Sequence, residues 1–404
     1  MSMSPFRKTE NINMSKTLSF ILFFSIGTLV VTSVHYYLWA RMIKDTAMSS
    51  PFRNIGTYSL IIFAVSFPIA LAVSRLVSFR YSYVLLWISY LWLGIMMLLF
   101  FSFLFTDLVK ILFYISSKFS NTIDEMTNPE RRKFISRSIA SGISVMVFAA
   151  TGLGVKKYYE AVVVKKIKIL LTGLPEVFQG FKIVQISDLH IGQMMTGLML
   201  EKIVDKVNSL KPDLIAITGD LVDGSINKLL NELVSLKNLK AEHGIYFVTG
   251  NHEYYSGVES WTLTIENMGI KVLNNESIMI KQDSDFFYLS GVTDHEAKNF
   301  GKKYAADFNK TFSGLQKDKK KILLAHQPIA VKEASEYETD LVLSGHTHGG
   351  QIWPFNYLVY LQQPYLKGSY QYRNTKLYVN QGTGCWGPPM RLGSFNEITE
   401  ITLI

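Results

Sequence analysis

Five short polar motifs in the second half of the chain carry the side chains best suited to chemistry. They are Asp188-Leu189-His190, Gly219-Asp220, Gly250-Asn251-His252, His326 and Gly345-His346-Thr347-His348. Together they supply two Asp, one Asn and five His, the donor types that hold two divalent cations side by side. Cations about 3.5–4 Å apart need a shared ligand, and carboxylate oxygen serves both best. Asp220 is the candidate, as the one carboxylate in the middle of the motif order. Asn251 adds a neutral carbonyl oxygen to the set. Mixed nitrogen and oxygen ligation suits Mn²⁺, Fe or Zn²⁺ better than Ca²⁺. The set implies metal-dependent hydrolysis. Cys385 is the only cysteine, which rules out an intrachain disulfide and argues against a Cys-based metal site or nucleophile.

Such donors must be positioned, and the chain around them says how. Each motif follows a short apolar, β-branched run, at residues 183–186, 214–218, 245–249, 322–324 and 341–343. These runs read as buried strands, and loops after successive strands converge at one edge of a sheet. Gly219, Gly250 and Gly345 directly precede ligands, where a missing Cβ lets the chain leave its strand sharply. Residues 162–171 alternate apolar residues and Lys, as a half-exposed strand does. Helical spacing recurs at 198–210, 229–239, 258–268 and 329–337. The expectation is an α/β fold, a two-sheet β-sandwich flanked by helices. His35, His243 and His295 read as ordinary core or surface residues, and Asp223 as a cap for the helix that follows. Met194 and Met195 read as core, and the aromatic-rich stretch 357–372 as a packed loop rather than a substrate-facing lid.

The motif order resembles that of the calcineurin-like metallophosphoesterases over roughly residues 160–404. The likeness extends to Gly349-Gly350-Gln351 and to a closing strand at 397–403. Five motifs in order, each after a strand, are far more specific than any one of them. The chain looks in particular like the membrane-attached bacterial branch, which includes phosphodiesterases and UDP-2,3-diacylglucosamine hydrolases. The resemblance implies that Asp188, His190 and His348 complete one metal, and that Asn251, His326 and His346 complete the other, with Asp220 shared. It also implies a metal-bridged hydroxide attacking phosphorus in line, with His252 protonating the leaving oxygen. Glu253 is a candidate to orient His252, and Arg391 a candidate phosphate contact.

Residues 1–154 are of a different character. They hold 14 Lys and Arg against 6 Asp and Glu, leaving 27 against 26 for the rest. The basic excess therefore belongs to the apolar half, and the near-neutral second half offers no electrostatic footprint for nucleic acid. Apolar runs at about 17–39, 57–77, 83–105 and 138–155 predict about four transmembrane helices in a membrane domain, 1–155, ahead of a catalytic domain, 156–404. Arg131-Arg132 before the last run is either a twin-arginine-like export signal or the cytoplasmic flank of a helix. Both put the catalytic domain outside the cytoplasm, although Lys and Arg counts around the helices are nearly balanced. The partners expected are the membrane and a phosphorylated small-molecule or lipid substrate. A membrane sensor or scaffold with a catalytically silent metal site is the alternative; it would typically lack Asp220, Asn251 or His252, all of which are present.

Overall fold

Before residue 160 the described chain is almost wholly helical, since among so many apolar side chains the backbone can satisfy its polar groups only within itself. The structure, a computed structural model, describes residues 6–76, 79–119, 128–192 and 194–404. Its first helices are α1 (Phe6–Trp39), α2 (Ser50–Leu76), α3 (Phe79–Phe119) and α4 (Pro129–Tyr159). Three stretches, Ser50–Ser74, Ser82–Lys118 and Pro129–Tyr159, are long and apolar enough to cross a membrane. They contain most of the runs expected from residues 57, 83 and 138, and extend beyond them into more polar ends. The first expected run lies on α1, where several side chains fall outside the described residues. So does part of the polar stretch between α3 and α4.

Two units are distinct: one comprises the chain to Val77 with Ile88–Ala150, the other Ser78–Trp87 with Thr151–Ile404. Polar contacts in the first tie its helices together. Asp107 on α3 accepts from Tyr37 Oη at 2.5 Å and from Arg41 Nε at 2.8 Å. Trp92 donates to His35 Nε2 at 3.0 Å, so His35 is a satisfied interior residue.

The second unit contains two six-stranded sheets. The first has strands β1 (Val163–Ile169), β2 (Lys182–Ile186), β3 (Leu214–Thr218), β4 (Ile245–Val248) and β5 (Lys271–Val272). The second has β6 (Glu276–Gln282), β7 (Asp285–Gly291), β8 (Lys321–Leu324), β9 (Leu341–Ser344), β10 (Gly368–Tyr372) and β11 (Thr375–Val379). The last strand, β12 (Glu397–Leu403), returns to the first sheet between β1 and β2. Strands β2 to β5 run parallel, as do β7, β8, β9 and β11. The antiparallel pairs β6–β7 and β10–β11 place β6 and β10 at the two edges of the second sheet.

Both faces of these strands are buried, which is why they read as continuous apolar runs. On β3, Leu214 and Ala216 face the inter-sheet core while Ile215 and Ile217 face the helical layer. On β8 and β9, Ile322, Leu324, Leu341 and Leu343 enter the inter-sheet core, and Leu323 and Val342 pack against Phe308 and Phe312. The first sheet is covered by α5 (Gly197–Ser209) and further by α8 (Val258–Asn267), with the short α6 (Ile226–Leu229) and α7 (Asn251–Ser256) between them. Residues 230–238 form a 3-10 helix rather than the α-helix that their spacing predicts. Met194 and Met195 are core, as expected.

Candidate metal centre

All five motifs lie just beyond the carboxyl ends of parallel strands: β2, β3 and β4 in one sheet, β8 and β9 in the other. The loops meet at one edge. To do so, Asp188, His190, Asp220, His346 and His348 all adopt positive φ, between 48° and 73°. Asp and His tolerate the left-handed region better than most residues, but each still costs about 1–3 kcal/mol. The glycines serve close approach: a Cβ on Gly250 would overlap Asp220 Oδ1, and one on Gly345 would overlap Asp188 Oδ2.

Three clusters of potential metal donors result: Asp188, His190 and His348; His190, Asp220 and His252; Asp220, His326 and His346. Asp220 belongs to two of them, with Oδ2 at 3.0 Å from His326 Nε2 and 3.7 Å from His190 Nε2. Two pairs of imidazole nitrogens face each other at 3.1 Å, His190 Nε2 with His348 Nε2 and His326 Nε2 with His346 Nδ1. The second nitrogen of each leading His is already committed. His326 Nδ1 donates to the Thr218 carbonyl at 2.7 Å, and His190 Nδ1 donates to Asp223 at 3.1 Å. In the neutral ring, Nε2 then offers a lone pair toward the cluster, the arrangement by which a second hydrogen bond orients a metal-binding His. Asn251 Oδ1 and His348 Nδ1 are buried with no hydrogen-bond partner among the described residues. Converging lone pairs, a shared carboxylate and an orphaned amide oxygen fit divalent cations.

The protonation pattern without ions points the same way. Burial disfavours charge on His326, but Asp220 outweighs it and lifts the imidazole well above its ordinary value. Burial and the charge of His326 push His346 down to about 3, and burial with His190 pushes His348 far down. Burial likewise disfavours charge on His190, but Asp223 raises its pKa. One ring of each facing pair is thus shifted toward holding a proton, and a cation would compete for its place. Metal affinity must therefore weaken in acid.

Sequence reasoning missed or misplaced four residues. Asp223 caps no helix: the helix begins after Ser225, and the Asp223 carboxylate bonds to both His190 Nδ1 and His252 Nδ1. The Asp220-x-x-Asp223 spacing, on one loop beside the donors, was the available signal. Glu253 does not orient His252; its carboxylate accepts the buried N–H groups of Asp220, Leu221, Val222 and Gly250 at 2.7–3.3 Å. Burial and the Asp220 charge push its pKa up to about 7, against the pull of the Gly250 and Leu221 N–H groups. Arg391 is fully buried and has no access to a phosphate. It donates to the carbonyls of His348, Gly382 and Gly384, clamping the last metal-side loop to the segment behind Asp188. Trp386, half exposed, sets its ring edge-on to His252 at 5.7 Å and forms part of the site's rim.

His252 stands at this rim. Its N–H donates to Asp220 Oδ1 at 2.9 Å, and its Nδ1 is taken by Asp223. Burial opposes its charge, but the bond to Asp223 and the fields of Asp220 and Asp223 lift its pKa to about 9. Burial likewise works against the Asp223 carboxylate, which His190 and His252 nonetheless hold at about 2. The pair is an ion pair at neutral pH.

Residues 181–350 match the family model for calcineurin-like phosphoesterases. An uncharacterized metallophosphoesterase of Helicobacter pylori is 37% identical over 276 residues, 68% of this chain and 72% of that one. One from Campylobacter jejuni is 31% identical over 95% of this chain and 98% of its own length. A bovine transmembrane protein with a metallophosphoesterase domain is 39% identical, over 59% of this chain and 56% of its own. Donor loops from two sheets meeting at one edge, in a sequence related over this length to proteins so described, make the chain a member of the calcineurin-like metallophosphoesterase family.

Proposed function

We propose that the chain hydrolyses a phosphodiester or diphosphate with two divalent ions, while its N-terminal helices anchor it in a membrane. The observation that carries this reading is the convergence of Asp188, His190, Asp220, Asn251, His326, His346 and His348, with Asp220 common to two donor clusters. Two ions held there would supply the charge that polarises a phosphoryl group and acidifies water. The chain's own residues do the rest. With Nδ1 bound to Asp223, His252 has only Nε2 free, and at neutral pH that atom carries a proton. A leaving oxygen at the rim can take this proton, which makes His252 the general acid. Asp223 holds the ring and its charge, while Glu253 and Arg391 fix the loops on either side.

The test is hydrolysis of bis(p-nitrophenyl) phosphate by the full chain in detergent. Treatment with a chelator is expected to abolish turnover, and added Mn²⁺ to restore it, with two ions bound per chain. Turnover that survives complete metal removal would exclude the reading. Two bound ions with no turnover on any phosphoester would favour the silent sensor.

We further infer that the second unit faces away from the cytoplasm. Arg131, Arg132, Lys133 and Arg137 cluster at the start of α4, against Lys156 and Lys157 at its end, and the richer end stays inside. Cys385 is buried, and burial pushes its thiol up to about 11, so it will not react. A Cys placed at exposed Lys317 is expected to take a membrane-impermeant maleimide in intact spheroplasts. Labelling only after permeabilisation would reverse the orientation.

A further inference from the structure

Between β9 and β12 the second unit has an unusual surface. Trp353, Phe355, Tyr357, Leu358, Tyr360 and Leu361 lie within nine residues and are each 40–81% exposed. They surround the short helix Asn356–Val359 and have no apolar cover among the described residues. Composition changes here as well. Residues 341–396 contain Lys367, Arg373, Lys376 and Arg391 but not one Asp or Glu. Arg391 is buried, and Arg373 and Lys376 lie beside the amino end of β9, so Lys367 is the cation nearest the segment. An exposed aromatic surface whose stretch of chain carries no acid suits the bilayer interface, where Trp and Tyr place their rings at headgroup level.

The place of this segment in the fold strengthens the case. Trp353 N–H donates to the Leu392 carbonyl at 2.8 Å, and Ile352 bridges to Leu392. Leu392 in turn packs at Gly154 on the last turns of α4, where an added Cβ would come within 3.1 Å of Met390 and 3.3 Å of Leu392. Arg391 N–H donates to the Gly154 carbonyl at 3.0 Å, Tyr158 donates to the Met194 carbonyl at 2.7 Å, and Asn396 donates to the Tyr158 carbonyl at 3.2 Å. The exposed segment is thus bolted to the point where the apolar part of α4 ends and Lys156 and Lys157 begin. It also adjoins the site. Gln351, two residues before Trp353, donates to the Trp386 carbonyl at 2.7 Å, and the Trp386 ring lies edge-on to His252.

We propose that the segment Trp353–Leu361 is a membrane-docking surface that seats the catalytic unit on a lipid bilayer beside α4. The metal centre then opens at headgroup level, and the phosphoesters it meets are those of membrane-resident molecules. The inference rests on the reading of α4 as a membrane span, and the experiment separates the two.

Leu361→Cys, Val145→Cys on the exposed face of α4 and Lys317→Cys at the opposite edge of the second sheet each provide one reactive thiol in the full chain. Each is labelled with an environment-sensitive dye and reconstituted in phosphatidylcholine–phosphatidylglycerol bilayers, with and without a nitroxide quencher on the acyl chains. The expected result is about twofold or greater quenching at positions 361 and 145 and none at 317. Quenching at 145 without quenching at 361 would overturn the docking surface and leave the span intact. No quenching at 145 would overturn the span and, with it, this inference. A blue-shifted but unquenched dye at 361 would mean that protein, a second copy included, covers the surface, which also overturns it.

Discussion

Asp220→Asn is expected to lower kcat/KM on a phosphodiester by about a thousandfold or more, roughly 4 kcal/mol of transition-state stabilisation. The amide keeps the size of the carboxylate and loses its charge. Asp220 is the one carboxylate common to two donor clusters, and its Oδ2 lies 3.0 Å from His326 Nε2 while Oδ1 receives the His252 N–H. An amide presents one acceptor oxygen and no charge, so the variant loses the anionic bridge even where its contacts to His252 and His326 persist. Bound metal is expected to fall below two ions per chain. Unchanged circular dichroism would separate this loss from unfolding. A variant within tenfold of wild type, with two ions still bound, would remove Asp220 from the shared position.

His252→Gln is expected to lower kcat by about 10²–10⁴-fold, the range of a lost general acid. The effect must depend on the leaving group. It is largest for alkoxide leaving groups and shrinks toward unity for p-nitrophenolate, which departs without a proton. The pH profile gives a second readout. His252 is protonated below its raised pKa of about 9, so activity that uses its proton declines as pH rises through that value. Removing the anionic partner with Asp223→Asn lowers this pKa and moves the alkaline limb toward neutrality. A His252→Gln deficit that is the same for every leaving group would assign His252 to ground-state positioning.

The fold was legible wherever a strand is buried on both faces, because continuous β-branched runs such as 214–218 have no other stable use in a chain of this kind. The seven candidate donors could be picked out because their order along the chain is itself the pattern, and the structure brings their loops to one edge. What could not be read depends on how distant loops stack. Asp223 has the residue type and position of a helix cap, and only the approach of His190 and His252 from two other strands turns it into their shared partner. Arg391 carries a charge that sequence logic sends toward phosphate, yet three carbonyls from two loops close around it. Glu253 neighbours His252 in sequence, but the two lie on a helical turn, where adjacent residues point apart. The stretch 357–372 was read as a packed loop because aromatic residues usually are core, and nothing local says that the protein leaves Tyr357, Leu358, Tyr360 and Leu361 bare.

Of the seven candidate donors, Asp188, His190, Asp220 and Asn251 come from the first sheet and His326, His346 and His348 from the second. Asp188 and the His346 backbone that it holds are 158 positions apart. A growing polypeptide therefore owns no complete cage until Gly345-His346-Thr347-His348 has been made and both sheets have closed on each other. Under the proposed reading, full coordination of an ion requires a molecule whose two halves have already met.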